Sequence, residues 1–287
     1  MKLKELFNEK KTVFSFEIFP PKRNDPVDTV FKTLDALKDL EPDFISVTYG
    51  AGGSLKDHIT AAIASAIKNH YGLEAAAHLT CVNSTREDVD EALRQLYVLG
   101  VENILALRGD PVEGQEPCKD FLHASDMVQY IKASGMDFGI SGACYPEGHP
   151  ASASLDEDIA NLKIKVDAGA EHLVSQLFFD NEIFYRFLDK TQAAGINVPI
   201  EAGIMPVINK KQIERMVSLC GASLPAKFTR MMSRYGEDKE AMRDAGIAYA
   251  IDQIVDLAAH GVDGIHLYTM NNPLVARRIT EGVRTLL

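Results

Sequence analysis

The stretch YVLGVENILALRGD, residues 97–110, contains one complete transition from the end of a helix into a strand. Gly100 follows the helical segment, and glycine suits the left-handed conformation in which many helices end. An apolar and an acidic residue come next, followed by NILALR (103–108), which is typical of a buried strand. The stretch therefore predicts a strand that starts directly after a helix and ends at Arg108-Gly109-Asp110.

The same transition recurs along the chain, and an apolar strand follows each copy. Glycine, an apolar residue and then Asp, Glu or Asn occur at residues 72–74, 100–102, 135–137, 169–171, 195–197 and 261–263, with the variant Leu40-Glu41-Pro42-Asp43. The predicted strands are VFSFEI (13–18), FISVTY (44–49), AAAHLT (75–80), NILALR (103–108), FGISGACY (138–145), HLVSQLF (172–178), VPIEAGI (198–204) and GIHLYT (264–269). They are too apolar for a sheet with one wet face, so they predict a parallel sheet covered by helices.

Eight strand-then-helix units in 287 residues favour an α/β protein with a closed, TIM-type (β/α)8 barrel over an open sheet. The connection between Ile204 and Gly264 is longer than the others and contains three helical stretches, at 209–220, 225–235 and 239–260. We therefore predict a single domain, residues 1–287, with an extended helical connection before the last strand.

Composition excludes several other classes of protein. The net charge is −11 and no segment concentrates Lys and Arg, which argues against nucleic acid as a partner. No apolar run is long enough to span a membrane, and the start MKLKELFNEKKT (1–12) is not a secretion signal, so we expect a cytoplasmic protein. The four cysteines form no C-x-x-C pair, and no metal site or covalent nucleophile is indicated.

Polar residues collect at the predicted C-terminal ends of the strands, which form the working face of such barrels. Contacts from several strands toward one rim predict a site for a small molecule. These residues are Glu17, Thr48, Tyr49, His78, Thr80, Arg108, Gly109, Asp110, Tyr145, Glu147, His149, Gln176 and Tyr268.

Glu17 is the most informative of them, because it lies inside the apolar strand VFSFEI. A buried carboxylate either has a charged partner or holds a proton near neutral pH. At the mouth of a barrel the second case makes Glu17 a proton donor. The alternative is a structural ion pair with an arginine such as Arg108.

Other polar groups allow two interpretations. The loop Gly50-Ala51-Gly52-Gly53-Ser54 could approach an anion through its backbone, or it could be a simple turn. Arg108-Gly109-Asp110 could bind phosphate and a planar donor edge, or it could form a local ion pair.

His78 alone is more typical of a hydrogen-bonded core histidine than of a catalyst. Asp158, Asn161 and Lys165 lie on one side of a helix, and this pattern is typical of a solvated face.

The chain resembles bacterial methylenetetrahydrofolate reductases over essentially its whole length. The resemblance lies in SFEIFPPK, SVTYGAGG, AAHLTC, ALRGD, ACYPEGHP, NLKIKVDAGA, QLFFD, GIMPV and HLYTMN, which occur in the family's order. It implies an FAD-containing (β/α)8 barrel that uses NADH or NADPH to convert 5,10-methylenetetrahydrofolate to 5-methyltetrahydrofolate. The flavin would receive hydride from the nicotinamide and pass it to folate in turn, which predicts ping-pong kinetics.

The resemblance also implies a role for individual residues. Glu17 matches the general acid that opens the folate's five-membered ring, and Asp110 matches a carboxylate between flavin and pterin. The resemblance therefore implies that the polar helix face of Asp158, Asn161 and Lys165 contacts the cofactor. Residues matching FAD contacts are Thr48, Tyr49, Ala51, His78, Arg108, Gly109, Asp110, Ala124, Tyr145, His149, Asp158, Asn161 and Lys165. Residues matching the substrate site are Glu17, Thr48, Gln176, Gln212 and Tyr268.

Two positions depart from the family pattern. Asn272 and Ile164 stand where family members carry arginines that contact substrate and FAD phosphate. Without these cations, the electron donor is left open between NADH, NADPH and a partner subunit that delivers electrons. The resemblance further implies a homo-oligomer. Two other functions remain alternatives: a pterin-binding barrel that transfers a one-carbon unit without redox chemistry, and a catalytically silent folate or flavin carrier.

Overall fold

The computed structural model describes residues 1–21, 25–49, 59–111, 114 and 116–287. Strands and helices alternate along most of this length. In chain order the elements are α1 Leu3–Glu9, β1 Val13–Ile18, α2 Asp28–Leu37, β2 Phe44–Val47, α3 Ile59–Asn69, β3 Glu74–Thr80, α4 Arg86–Val98, β4 Asn103–Leu107, α5 Ala124–Ala133, β5 Gly139–Cys144, α6 Leu155–Asp167, β6 His172–Ser175, α7 Asn181–Ala193, β7 Ile200–Ile204, α8 Lys210–Cys220, α9 Ala226–Tyr235, α10 Lys239–His260, β8 Gly264–Tyr268 and α11 Pro273–Val283.

The eight strands form one closed barrel in chain order, and every neighbouring pair is parallel. β8 closes the barrel against β1, with Val13 opposite Gly264 and Glu17 opposite Tyr268. This confirms the predicted TIM-type (β/α)8 fold. β1 has the predicted bounds, whereas β2 ends at Val47 and β6 at Ser175, earlier than predicted. None of the described helices is both long and apolar enough to cross a membrane.

The recurring glycine has the conformation that the sequence predicts. The six glycines of the repeated transition all have positive φ, namely Gly72, Gly100, Gly135, Gly169, Gly195 and Gly261. In the variant transition Glu41 takes this role, with φ 51°. Each of these residues turns the chain out of a helix and into the strand that follows. Glycine predominates among them because residues with a side chain rarely adopt this conformation without strain.

Helix α1, which the sequence pattern did not predict, closes the N-terminal end of the barrel. Leu3 and Leu6 are buried against Val13, Phe44 and Ala76 at the starts of three strands. The Leu3 N–H donates to Oδ1 of Asn103 on β4 over 2.9 Å, which fixes the helix start. Apolar side chains of α1 therefore close the barrel at the N-terminal end of its strands.

The extended connection consists of α8, α9 and α10, which agrees with the three predicted helical stretches. It packs around its own apolar cluster, which includes Phe179 in the loop after β6, Val207 after β7 and Phe228 on α9. Beyond α8, the backbone N–H of Ser223 donates to both carboxylate oxygens of Glu147, at 2.9 and 3.1 Å. This pair joins the connection to the loop after β5, at the C-terminal end of the barrel.

Gly246 on α10 allows that connection to pack closely, and we expect Gly246→Ala to destabilise the fold. A Cβ at this position would lie 1.8 Å from the backbone oxygen of Val207, which cannot rotate away. We expect the free energy of unfolding to fall by about 3 kcal/mol, as for other overpacked sites, measured by urea denaturation. The matched control is Gly282→Ala on α11, where the added Cβ meets the flexible end of Ile251 at 2.8 Å. Equal losses for both variants would contradict this account.

Candidate active site

Glu17 lies at the mouth end of β1 with its side chain inside the barrel. It is 7% exposed, and its Oε2 is 3.4 Å from Nε2 of His78 and 3.6 Å from Nε2 of His266. β3 and β8 approach Glu17 from opposite sides, so these contacts pass through the interior. The alternative ion pair with Arg108 is not found among the described residues, where the Arg108 Nε–H donates to the oxygen of Gly109 over 3.4 Å.

The backbone around Glu17 is held by the segment after β8. The Thr269 hydroxyl donates to the Glu17 carbonyl over 2.6 Å. The Asn271 side chain forms two hydrogen bonds with the Phe19 backbone, accepting from its N–H and donating to its carbonyl, both at 2.8 Å. Asn271 has φ 53°, a conformation that asparagine tolerates better than most residues. These bonds fix the position from which the Glu17 carboxyl faces the mouth.

His78 is a neutral partner for Glu17. Its ring is 6% exposed, and burial lowers its pKa to about 4 despite the opposing effect of Glu17. Near neutral pH this imidazole therefore carries no charge, and it does not form a full ion pair with the carboxyl group.

Below Glu17, polar side chains continue through the barrel interior. Ser15 Oγ lies 2.7 Å from Oε1 of Glu201 and 2.6 Å from Nδ1 of His266. Further down, Nε2 of His172 lies 3.1 Å from Oε2 of Glu201, and its Nδ1 lies 2.9 Å from Oγ of Ser141. We call these five residues, Ser15, Ser141, His172, Glu201 and His266, the interior polar chain. All are 3% exposed or less.

Arg108, Gly109 and Asp110 form the end of β4 at the mouth. Gly109 has φ +77°, and a Cβ there would lie 2.9 Å from Cβ of Thr80, so this close approach to β3 requires glycine. Asp110 is exposed, and its backbone oxygen accepts from the side-chain amide of Asn83 over 3.1 Å. Asp110 therefore lies at the exposed rim of the mouth, directly after β4.

The polar face of α6 is partly turned into the protein, so the prediction of a solvated face was wrong for two of its three residues. Asp158 is 9% exposed and accepts from the Ser152 hydroxyl over 3.0 Å. The Lys165 Nζ donates to the Ala143 carbonyl over 2.6 Å, and burial lowers the Lys165 pKa. Asn161, between them, is exposed.

Space for Lys165 depends on Gly142 in β5. A Cβ on Gly142 would lie 2.8 Å from Cδ of Lys165, so the lysine stem crosses the strand where a side chain is missing. Sheet and helix together therefore present a cation beside the end of β5.

Tyr145 and His149 follow β5 beside this lysine. Their rings are 4.7 Å apart and nearly perpendicular. Burial raises the pKa of Tyr145 to about 12, and burial followed by the nearby Arg108 lowers the pKa of His149. Near neutral pH the pair therefore offers a neutral phenol and a neutral imidazole, which suit uncharged polar edges of a ligand.

Three further predicted residues lie near strand ends or on the extended connection. The Tyr268 hydroxyl donates to the Ser175 carbonyl over 2.7 Å, and burial raises its pKa well above the usual range. The side-chain oxygen of Gln176 accepts from the N–H of Leu177 over 2.9 Å. Gln212 is half-buried on α8.

Thr48, Tyr49 and Ala124 also lie beyond strand ends. Thr48 and Tyr49 follow β2, and Ala124 is the first residue of α5. Among the described residues, the buried Thr48 hydroxyl oxygen has no hydrogen-bond partner. Ala51 and the rest of the glycine-rich loop 50–54 lie outside the described residues.

Sequence reasoning missed Ser15, Glu201 and His266. A signal for them exists in the period of two along a strand, which places Ser15 on the same face as Glu17, and His266 on the same face as Tyr268. The structure adds the cross-barrel contacts that bring them together. Within the described ranges, no group of three His, Cys, Asp or Glu side chains could hold a metal ion.

The fold and the site together define a TIM-type (β/α)8 barrel that gathers titratable groups at its C-terminal mouth, as small-molecule enzymes do. The family model described as "Methylenetetrahydrofolate reductase" matches residues 2–284. The chain belongs to this family.

Its relatives include bacterial and plant proteins. A 5,10-methylenetetrahydrofolate reductase of Pectobacterium carotovorum subsp. carotovorum is 41% identical over 273 residues, covering 94% of this chain and 90% of the relative. "Methylenetetrahydrofolate reductase (NADH) 1" of Arabidopsis thaliana is 40% identical over 94% of this chain, which spans only 48% of that relative.

Among solved structures, a protein from Clostridium thermocellum described as binding two copies of 5-methyl-5,6,7,8-tetrahydrofolic acid has a TM-score of 0.67. The match covers 100% of this chain and 99% of that protein, at 14% identity. At that identity the likeness shows the shared fold alone.

Proposed function

We propose that this protein reduces 5,10-methylenetetrahydrofolate to 5-methyltetrahydrofolate with electrons from a reduced nicotinamide, using FAD. The single observation that supports this most is the buried carboxyl of Glu17 at the barrel mouth, 3.4 Å from a neutral histidine. A carboxyl group placed at the barrel mouth can act as a general acid toward a substrate nitrogen. Membership of the reductase family supports the same reaction.

The mouth fits an FAD group on two counts. The Thr48 hydroxyl is buried without a partner in the described part of the chain, and Lys165 supplies a cation. We propose that FAD is held by these residues together with the other residues predicted from the resemblance. When bound, FAD supplies the hydride chemistry, because it can accept a hydride from a nicotinamide and pass one to folate.

The remaining chemistry belongs to the protein. Glu17 gives its proton to the folate nitrogen whose C–N bond breaks, so the five-membered ring opens and the one-carbon unit becomes electrophilic. Asp110 stabilises the resulting cation electrostatically and orients the pterin. Gln176, Gln212 and Tyr268 line the position that folate and nicotinamide occupy in turn.

NADH is the proposed electron donor, since a relative at 40% identity carries NADH in its name. The two departures from the family pattern have local explanations. Asn272 caps α11, accepting from the N–H of Val275 over 3.3 Å, and Ile164 is 57% exposed on α6. Neither supplies a cation to an anionic ligand. A homo-oligomer and an electron-delivering partner subunit remain predictions.

The proposed function is tested by mixing the purified protein anaerobically with NADH and then with methylenetetrahydrofolate. We expect the visible absorbance of oxidised flavin to bleach in the first step and recover in the second. A protein that cannot be loaded with flavin would favour the one-carbon transferase. A protein that binds flavin and folate but shows neither change would favour the silent carrier.

We expect Lys165→Met to weaken FAD binding. Methionine has a similar volume but removes the charge, and a charge-assisted hydrogen bond contributes enough for a loss of about 10- to 100-fold in affinity. The measurement is a titration of flavin fluorescence against apoprotein. Lys163→Met is the matched control, because Lys163 lies on the same helix and pairs with Asp167 at its surface. Equal weakening by both variants would show that Lys165 has no specific role.

A further inference from the structure

The Ser15 hydroxyl is close to two groups but has a single proton. Its oxygen lies 2.7 Å from Oε1 of Glu201 and 2.6 Å from Nδ1 of His266, and both distances are typical of hydrogen bonds. A hydroxyl group can donate one hydrogen bond and accept others. When Ser15 donates to one neighbour, the other must therefore donate to Ser15.

Two arrangements of protons satisfy this condition, and they contain the same number of protons. In the first, Ser15 donates to a Glu201 carboxylate and accepts from Nδ1 of His266, so Nε2 of His266 can accept from a protonated Glu17. In the second, a protonated Glu201 donates to Ser15, Ser15 donates to Nδ1, and the Nε2–H of His266 faces a Glu17 carboxylate. The two differ by the net transfer of one proton from Glu17 to Glu201, in which three protons each move by one position along the chain.

The geometry at the Glu17 end allows this shift after a small movement. Nε2 of His266 is 3.6 Å from Oε2 of Glu17, which is longer than a hydrogen bond. The Glu17 carboxyl must therefore rotate toward the ring, since the gap is too short to hold a water molecule. Its strand neighbour Ser46 has its hydroxyl 3.4 Å from the same nitrogen and helps to hold the ring in place.

The interior polar chain is secluded from solvent at its lower end. Glu201 and His266 are 0% exposed, and the ring of Phe44 stacks on His266 with centroids 6.1 Å apart. Phe7 of α1 covers His172 at 4.8 Å. Among the described residues, a proton on the interior polar chain therefore reaches solvent through Glu17 at the mouth.

We propose that Glu17 and Glu201 share one proton through Ser15 and His266, and that Glu201 holds this proton until Glu17 delivers it to the substrate. This rests on the proposed function. In the delivery step the O–H bond of Glu17 breaks, an N–H bond forms on the folate, and the C–N bond of its five-membered ring breaks. The folate product leaves by the mouth, and a proton from solvent restores the pair.

Other titratable or polar groups face both carboxyl groups. Glu17 is faced by His78 from β3, Ser46 from β2, and His266 and Tyr268 from β8. Glu201 is faced by Ser15 from β1, His172 from β6 and His266 from β8. Burial keeps the Tyr268 phenol and the His78 ring uncharged near neutral pH, so neither of them places a charge beside the shared proton.

The first test interrupts the chain at Ser15. Ser15→Ala leaves both carboxyl groups in place, and we expect it to slow reoxidation of the reduced flavin by methylenetetrahydrofolate by about 10- to 100-fold, the lower part of the range for a positioned acid. Ser141→Ala is the matched control, because Ser141 is also buried and contacts a histidine Nδ1, at 2.9 Å, but does not lie between the two carboxyl groups. Equal slowing by both variants would overturn the proposal.

The second test follows the proton directly by infrared spectroscopy of the FAD-loaded protein without substrate. We expect the carbonyl stretch of a protonated carboxylic acid near neutral pH, and its loss in the double variant Glu17→Gln/Glu201→Gln. In Glu201→Gln the remaining stretch should disappear at a pH lower by about one unit or more, since a neighbouring carboxylate favours the protonated form. An unchanged midpoint would overturn the proposal even if the kinetics were slowed.

Failure of this inference can be told apart from failure of the proposed function. Reduction of the flavin by NADH does not use the interior polar chain and should keep its wild-type rate in Ser15→Ala. If wild-type protein itself shows no reoxidation by folate, the proposed function is wrong. If it does, and Ser15→Ala reoxidises as fast as wild type, only the shared proton is wrong.

Discussion

Glu17→Gln should slow reoxidation of the reduced flavin by methylenetetrahydrofolate by about 10²- to 10⁴-fold, the contribution typical of a positioned general acid. Glutamine has the shape of the acid but cannot give up a proton under these conditions. Reduction of the flavin by NADH transfers a hydride and needs no proton from Glu17, so we expect its rate to change little. The measurement is anaerobic stopped-flow absorbance of each half-reaction separately.

The control for this variant is Glu147→Gln, at the same end of the barrel. Glu147 accepts hydrogen bonds from the Ser223 backbone, and glutamine keeps one oxygen for this purpose. We expect both half-reactions to remain near the wild-type rate. Equal slowing of both half-reactions in Glu17→Gln would mean that Glu17 is a structural residue and that the acid lies elsewhere.

The fold was predictable from the sequence because its signals are local. Six of the transitions from a helix into a strand use a glycine with positive φ, and residues such as Gly100 and Gly261 signal these transitions without any knowledge of tertiary contacts. The strand bounds were less predictable. At β6 the apolar residues Leu177 and Phe178 continue the strand pattern, but they pack against the extended connection and the helices instead.

The candidate site was predictable only where one residue is unusual by itself. Glu17 stands out as a charge within an apolar strand, whereas Glu201 and His266 become informative only when the barrel closes and brings β1, β7 and β8 together. Lys165 illustrates the opposite error. Its spacing is that of a solvated helix face, but its side chain is half-buried because Gly142 on another element leaves room for its stem.

His78 should make the stability of the protein depend on pH. Burial lowers its pKa in the folded protein from 6.5 to about 4, so the unfolded chain binds a proton that the folded protein does not. The contribution of the neutral ring is therefore present above pH 6.5 and is lost as the pH falls toward 4. A difference of this size corresponds to about 3 kcal/mol in the free energy of unfolding.

Urea denaturation at several pH values, with FAD saturating, should show this loss as a difference between wild type and His78→Gln. Glutamine does not titrate, so the wild-type curve should fall more steeply between pH 6.5 and 4, by about 1.4 kcal/mol per pH unit at most. His70→Gln is the control, because His70 is exposed and should leave the slope unchanged. A His78→Gln protein with the wild-type slope would show that the ring is already charged in the folded state. It would then form a true ion pair with Glu17, and the account of Glu17 as a proton-bearing acid would lose its main electrostatic support.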